Sequence, residues 1–167
     1  CVLANIGSET VSICVFENNV PVSLEVFPIG STDITNDIAL GLKIPLDEAE
    51  RIKLGDMAHA YPEKRLNEII EARLSDIFEL VEAHLRKIRR NGLLPAGIIL
   101  TGGGVSVRSI ADLAKTSLRL PAQIADPQYV VNSGHQVHDS SWAVAYGLCV
   151  WGLDSDEKSL GLQLMKK

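Results

Sequence analysis

Cysteine is scarce in this chain, which has three thiols among 167 residues, Cys1, Cys14 and Cys149, at unrelated spacings. An odd number of scattered cysteines argues against a disulfide framework and favours reduced thiols in a cytoplasmic setting. Long apolar runs are also missing, and no stretch predicts a membrane-spanning helix. The chain opens inside a predicted core strand rather than in a signal peptide, so we expect a fragment cut at a domain boundary.

Positive charge is also in deficit, because 16 Lys and Arg oppose 21 Asp and Glu, which gives a formal net charge of −5. The densest basic run, 86–90, falls at the end of a predicted helix, where cations complement the helix dipole. Nucleic acid is therefore not an expected partner.

Side chains that could hold a metal ion or perform nucleophilic catalysis are few. His135 and His138 stand close to Asp139, but no Cys or His cluster supplies a fourth ligand, so no metal site is predicted. No Ser/His/Asp or Cys/His arrangement follows from the spacing either, and no catalytic residue is assigned.

The composition is that of a globular protein, with 46% hydrophobic and 22% charged residues, and the length allows one domain with a buried core. Alternating apolar residues and turn residues predict three strands joined as an antiparallel meander. Helical spacing, caps and glycines then predict helices, a glycine loop and two further strands. The predicted strands are 2–6, 10–16, 20–29, 97–100 and 121–125. The first predicted helix begins at Ser31. The others run from Leu46 to Leu54, from after Pro62 to about Arg90, from Val105 to Leu118 and from Asp139 to Leu153.

This order of elements predicts the fold class. A meander followed by strand–helix–strand units implies an α/β fold with a mixed five-stranded sheet and flanking helices. It is the ribonuclease-H-like layout on which each lobe of an actin-like fold is built. We predict that such a lobe covers residues 1–153, with a shortened small-subdomain region at about 43–92, and that 154–167 form a polar tail.

Three glycines, Gly102, Gly103 and Gly104, lie between a predicted strand and a predicted helix. Glycine lets a ligand approach the backbone, and a helix N-terminus attracts phosphate. A plain tight turn explains the same residues, so the glycines alone leave both interpretations open.

Glu50 and Lys53 are three residues apart on a predicted helix and therefore share a face. The pair suits a purine edge and its ribose, with the methylenes of Lys53 stacked on the ring. An ordinary surface ion pair is the alternative. The turn at residues 5–10 is likewise either a simple hairpin around Gly7 or a loop that faces phosphate.

Several segments, taken in order, resemble the FtsA family of bacterial cell-division proteins. Residues 30–42, GSTDITNDIALGL, resemble the family's GG-x-x-IT-x-DIA-x-GL segment, and residues 48–53, EAERIK, match its EAERIK stretch. Residues 69–73, IIEAR, fit the start of its long helix. Residues 98–104, IILTGGG, reproduce its adenosine motif, and 143–148, AVAYGL, resemble the closing helix of actin and Hsp70 folds.

The resemblance implies a cytoplasmic, actin-like protein at the inner face of the cell membrane that binds ATP with Mg²⁺ between two lobes. It further implies self-association into filaments, a link between the division ring and the membrane, and FtsZ and other division-ring proteins as partners. Gly102, Gly103 and Gly104 would contact the adenosine and phosphate side of ATP. Glu50 and Lys53 would hold the purine and ribose.

A second phosphate loop, which the family usually reads DIGGGTTD, corresponds to the turn with Asn5, Gly7 and Thr10. Asn5 replaces an aspartate that helps to place the metal ion, and Ser8 and Glu9 replace glycines. A carboxylate about 4 Å from a phosphate charge costs on the order of 4 kcal/mol at an effective dielectric near 20. We therefore predict weak or absent hydrolysis, and an inactive lobe on its own. A full-length, active ATPase and a related actin-like assembly protein are the alternatives.

The loop at residues 55–62 is short where the family usually inserts strands of the small subdomain. Those strands contribute to filament contacts and to docking of the FtsZ tail, so the FtsZ site is not carried over. The family's membrane-targeting helix lies beyond a linker, and residues 160–167 are too few to establish it. Membrane contact is therefore expected only through segments outside this chain.

Overall fold

The computed structural model describes residues 1–56, 61–126, 129–130, 136–137 and 139–164, and it describes side chains up to residue 126 and from 139 to 153. The chain divides into two compact units, residues 1–125 and 126–167. The predicted boundary between a lobe at 1–153 and a tail at 154–167 stays a prediction.

The first unit is built on a mixed five-stranded sheet. Strands β1 (Val2–Ile6), β2 (Val11–Glu17) and β3 (Val20–Phe27) form the predicted antiparallel meander. Strands β4 (Ile98–Thr101) and β5 (Ala122–Ile124) pair in parallel, β4 with β1 and β5 with β4. The order is β3-β2-β1-β4-β5, which confirms the predicted fold class.

The alternation of apolar residues explains why these strands form. Val2, Ala4 and Ile6 of β1 are buried on one face together with Ile13 of β2 and Leu100 of β4, as expected when one face of a sheet packs on a core. The edge strand β3 differs, because its outward-facing Val20, Val22, Leu24 and Val26 are all exposed.

Four helices cover the buried face. They are α1 (Ser31–Leu42), α2 (Leu46–Lys53), α3 (Glu63–Lys87) and α4 (Ile110–Leu118). Helix α1 packs against α2 and α3, and α3 packs against α4. The predicted apolar stripe of α3 is confirmed by its buried residues, which include Leu66, Ile70, Leu74, Ile77, Val81 and Leu85.

One predicted helix is wrong in its first half. The segment 105–118 begins as a 3₁₀ turn, Gly103–Ser106, and α4 starts only at Ile110. Val107 is extended and Ser109 has a positive φ of 63° between the two. This path buries Val105 and Val107 in the core, so tertiary packing overrides helical spacing here.

The second unit contains two short antiparallel strands, β6 (Tyr129–Val130) and β7 (Gln136–Val137), and a helix, α5 (Ala143–Leu164). The predicted helix is present, but it continues past Leu153. His135 and His138 lie outside the described residues. Among the helices that the structure describes, none combines the length and the apolar character needed to cross a membrane.

Candidate functional site

The glycine loop after β4 lies against the end of β1 and the start of α1. A Cβ atom placed on Gly102 would lie 2.5 Å from the carbonyl oxygen of Ile6 and 2.6 Å from the side-chain oxygen of Asn5. A Cβ on Gly104 would lie 2.5 Å from the Ile6 side chain and 3.2 Å from Cβ of Ser31. Gly102 and Gly104 are thus required by the chain's own packing. Gly103 is exposed, and its backbone faces solvent.

The helix N-terminus beside this loop belongs to α1 and not, as the sequence suggested, to a helix starting at Val105. The backbone N–H groups of Ser31 and Thr32 donate to the carbonyls of Gly7 and Ser8 at 2.9 and 2.8 Å. The first donors of α1 are therefore already paired within the chain. A 3₁₀ turn and not an α-helix follows the glycine loop, so the predicted attraction of phosphate to a helix N-terminus there is wrong.

Residues 5–10 form the turn between β1 and β2, which we call the β1–β2 loop. The N–H of Gly7 donates to the carbonyl of Thr10 at 2.9 Å, which closes the predicted hairpin. The loop sits so close to the start of α1 that a Cβ on Gly30 would collide with the backbone of Ser8. The side chains of Ser8, Glu9 and Thr10 are exposed, so Glu9 points into solvent.

Glu50 and Lys53 form the predicted ion pair, with 2.7 Å between Lys53 Nζ and Glu50 Oε2. It is not an ordinary surface pair, because the Lys53 side chain is only 5% exposed. Lys53 Nζ also donates to the hydroxyl of Thr35 at 2.9 Å and to the carbonyl of Ser31 at 3.2 Å. Thr35 in turn donates to Glu50 Oε2 at 2.5 Å. We call these four residues the α1–α2 network.

The network fixes the charge state of Glu50. Partial burial raises the pKa of this carboxyl group, but hydrogen bonds from Lys53 and Thr35 and the charge of Lys53 outweigh burial, so the pKa lies below its ordinary value. Glu50 is therefore ionised at neutral pH. Its Oε2 atom accepts from both Lys53 and Thr35, while 44% of the side chain is exposed.

Ser31 is the point where the predicted site elements meet. A Cβ placed on Gly104 would lie 3.2 Å from its Cβ, Lys53 Nζ donates to its carbonyl, and the carbonyl of Gly7 accepts its N–H. Asn5 reaches the same place through its contact with Gly102. The structure thus brings the glycine loop, the α1–α2 network and the β1–β2 loop to one side of the sheet.

A cleft of about 90 Å³ opens next to Lys53, between the end of α2, the first turns of α3 and the segment after the glycine loop. Its apolar lining is Ile52, Leu54, Leu66 and Ile70, and its polar lining is Lys53, Glu63, Asn67, Glu71, Ser106, Arg108 and Ser109. An ion pair between Arg108 and Glu63, at 3.5 Å, joins two of its walls.

Sequence reasoning missed Ser31 and Thr35 as members of the site. Thr35 is 5% exposed and lies among the buried residues Ile34 and Ile38 of α1. A hydroxyl on the apolar face of a helix needs a partner when buried, which is the signal that could have found it.

The acidic residues of the matched segment also have defined contacts. Asp33 accepts from the N–H of Gly30 at 2.8 Å and caps α1. Asp37 forms a two-pronged ion pair with Arg73 of α3, at 2.6 and 2.9 Å. These contacts hold α1 in place beside the glycine loop.

One Ser–His–Glu arrangement appears that the spacing did not predict. Ser23 Oγ lies 2.7 Å from Nε2 of His84, and Glu25 lies 3.2 Å from its Nδ1. The His84 side chain is 7% exposed and packs edge-on against Phe27. His84 is buried while 39% of the Glu25 side chain is exposed, and the contacts tie α3 to β3. Within the part of the chain that the structure describes, no three His, Cys, Asp or Glu residues group to hold a metal ion.

The sheet order and the loops gathered at its edge define one lobe of an actin-like ATPase fold. A solved structure of MreB 5 of Spiroplasma citri bound to AMPPNP matches with a TM-score of 0.76 at 17% identity, over 96% of this chain and 54% of that one. The family model for cell division protein FtsA matches residues 2–147. The chain belongs to the FtsA family.

Two curated relatives show how much of the family protein this chain represents. It is 29% identical to the cell division protein FtsA of Pseudomonas aeruginosa over 97% of this chain and 44% of that protein. It is 31% identical to the FtsA of Bacillus subtilis over 87% of this chain and 37% of that protein. The chain therefore spans less than half the length of these relatives.

Proposed function

We propose that this chain is the C-terminal lobe of an FtsA-type cell-division protein that binds ATP between two lobes. The observation that carries the proposal is the convergence of the glycine loop and the α1–α2 network on Ser31. A lobe whose two candidate elements lay on opposite sides of the sheet could not grip one nucleotide. Here they are neighbours within one compact unit.

The α1–α2 network supplies the groups for a nucleoside. Glu50 is ionised and anchored through Oε2, so its other oxygen is a suitable acceptor for a ribose hydroxyl. Lys53 lines the cleft, and because its side chain is 5% exposed it serves to hold Glu50 in place rather than to stack on a ring. Gly103 presents exposed backbone on the side of the phosphates.

The β1–β2 loop supports a weak hydrolytic role. Asn5 is neutral where the family carries an aspartate, so this lobe offers less charge for placing Mg²⁺. The carbonyls of Gly7 and Ser8 occupy the first donors of α1, which are then not available to a phosphate. We infer that nucleotide binding controls assembly of the protein more than it supports ATP hydrolysis. The full-length protein would self-associate into filaments at the inner face of the membrane, with FtsZ and other division-ring proteins as partners.

Calorimetric titration of the full-length protein with ATP, with and without Mg²⁺, tests the proposal. We expect binding that falls at least about tenfold in Glu50→Gln, because a charge-assisted acceptor is lost. Glu68→Gln is the matched control, since Glu68 is an exposed residue of α3 outside the cleft, and it should bind as the parent does. An absence of ATP binding, or equal binding by Glu50→Gln, overturns the proposal. Turnover equal to that of ordinary actin-family ATPases overturns the weak hydrolysis.

A further inference from the structure

The ends of β1, β2 and β4 that lie away from the glycine loop meet on one surface of the first unit. The N–H of Phe16, near the end of β2, donates to the carbonyl of Cys1 at 2.8 Å. The N–H of Val2 donates to the carbonyl of Gly97, the residue before β4, also at 2.8 Å. The candidate site lies at the other end of β1, so the length of that strand, roughly 15 Å, separates it from this surface.

Helices α3 and α4 end on the same surface. Arg90, just after α3, forms an ion pair with Glu17 at the end of β2. Pro121, three residues after α4, accepts the N–H of Ile98 at the start of β4, at 2.8 Å. The connection from α3 to β4, residues 88–97, therefore runs beside the end of α4.

Four exposed cations gather where the two helices end, and they are Lys87, Arg89, Lys115 and Arg119. Lys87 is the last residue of α3, and Arg89 follows two positions later. Lys115 lies in the last turn of α4, and Arg119 comes directly after that helix. We call these four residues the basic end.

The basic end keeps an excess of positive charge when its surroundings are counted. Glu17 of β2 is paired with Arg90, and Glu82 of α3 is paired with Arg86. Within the described part of the chain, no carboxylate forms an ion pair with any of the four cations. The C-termini of α3 and α4 contribute only about half a negative charge each. Helix dipoles therefore account for about one of the four charges, in a chain whose formal net charge is −5.

An exposed apolar residue lies beside these cations. Leu93 is 68% exposed, and its N–H donates to the carbonyl of Arg90 at 3.1 Å, so the turn that carries it is closed by its own backbone. Pro95 and Ala96 are exposed next to it. Basic residues around an apolar side chain suit a surface with anionic headgroups outside and hydrocarbon beneath. The phosphates of a nucleic acid would use the cations alone.

We propose that the basic end and Leu93 bind an anionic lipid surface, with the four cations at the headgroups and Leu93 inserted between them. Each Lys or Arg close to such a surface contributes about fivefold in affinity, and an inserted apolar side chain adds to it. The contact belongs to this chain itself and is additional to any membrane segment outside it. It does not depend on the proposed nucleotide site, which lies at the other end of β1.

Sedimentation of this chain with lipid vesicles tests the proposal. The chain should bind vesicles of phosphatidylglycerol and phosphatidylcholine in equal parts more tightly than vesicles of phosphatidylcholine alone, and the difference should shrink as salt rises. Arg89→Gln with Arg119→Gln should lower the affinity for the anionic vesicles at least about tenfold. Leu93→Ser should lower it about threefold and leave the salt dependence unchanged, because no charge is lost.

Lys43→Gln with Arg51→Gln is the matched control, because it removes the same charge from two exposed cations elsewhere. Lys43 has the same left-handed backbone as the two arginines, with a φ of 58°. It lies near the start of α3, since Arg65 donates to the carbonyl of Gly41. The basic end begins where that helix of 25 residues stops, roughly 37 Å further along its axis. The control should bind the anionic vesicles within about twofold of the parent.

Three results would overturn the proposal, provided that circular dichroism shows the same thermal midpoint for each variant and the parent. The first is equal binding of the parent to both kinds of vesicle, or binding to neither. The second is an equal loss in the arginine variant and the control, which places the contact elsewhere on the chain. The third is an unchanged affinity in Leu93→Ser together with equally tight binding of the parent to heparin, which shows attraction to any polyanion.

Discussion

The α1–α2 network and the β1–β2 loop flank the same turn of α1 but are held in different ways. The network is held mainly by side chains, with Thr35, Glu50 and Lys53 joined by contacts of 2.5 to 2.9 Å and the carbonyl of Ser31 accepting from Lys53. The loop is held by backbone groups, and the side chains of Ser8 and Glu9 point into solvent. The fold therefore depends on side-chain identity in the network and hardly at all in the loop.

This difference indicates that residues of the β1–β2 loop can be substituted without loss of the fold. Glycines in the β1–β2 loop can be exchanged for Ser8 and Glu9, because the loop's own hydrogen bonds come from N–H and C=O groups. The same freedom is missing in the network, where a buried ammonium must keep its acceptors. Under the proposed function, groups near the phosphates can thus change while the groups proposed to hold the nucleoside are kept.

The largest loss of stability is expected for a substitution in the glycine loop, which lies next to both regions. In Gly102→Ala the residue keeps a φ of +95°, and its Cβ meets the backbone of Ile6. Such a backbone conformation costs about 1–3 kcal/mol in a non-glycine residue, and the collision adds to it. Gly92→Ala is the control, since Gly92 also has a positive φ but no atom within 4 Å of a Cβ. Urea unfolding should rank Gly102→Ala as less stable than Gly92→Ala by at least about 1 kcal/mol; equal losses would contradict the packing described here.

A smaller loss is expected in the network. Thr35→Val keeps the shape of the side chain but leaves Glu50 and Lys53 without the hydroxyl, which should cost about 1–3 kcal/mol. The affinity for ATP should fall as well, because Glu50 is no longer oriented. Thr35→Ser retains the hydroxyl and should restore affinity more fully than stability, since it lacks a buried methyl group. Calorimetry and urea unfolding measure the two effects; a serine variant that binds as poorly as the valine variant would refute the orienting role.

The smallest change in stability is expected in the β1–β2 loop. The double variant Asn5→Asp with Glu9→Gly should unfold within about 1 kcal/mol of the parent, because Glu9 is exposed and Asn5→Asp keeps the side-chain oxygen that lies beside Gly102. Its affinity for ATP with Mg²⁺ should rise at least about tenfold. Glu9→Gly removes a negative charge near the proposed phosphate site, and Asn5→Asp adds one where the metal ion would be placed. Titration with and without Mg²⁺ checks this. If the double variant binds no more tightly than the parent, the account of the loop is wrong.

Much of the fold could be predicted from local pattern. Alternation fixed the three strands of the meander to within two residues at every end, and the spacing of Leu66, Ile70 and Leu74 predicted the buried stripe of α3. The Glu50–Lys53 pair followed from their spacing on one helix. Short-range rules succeed there because neighbouring residues in sequence are also neighbours in space.

The rest of the site depends on contacts between distant residues. Lys53 meets Ser31 across 22 positions of sequence, and Thr35 meets Glu50 across 15. No helical or strand period indicates such pairs. The predicted helix at Val105 failed for the same reason, since burial against the sheet decides the path there. The glycines were predicted to leave room for a ligand. In the structure the space beside Gly102 and Gly104 is filled by Ile6 of the same chain.

Helix α1 has a consequence for motion. It is held to the β1–β2 loop by two backbone hydrogen bonds and to α2 by the hydrogen bond from Lys53. It is held to α3 by the bidentate ion pair between Arg73 and Asp37. A shift of α1 alone would break contacts on three sides at once. We therefore expect residues 1–125 to respond to a nucleotide at the proposed site as one rigid body, and probes attached at two points within them should report a constant separation whether nucleotide is present or absent.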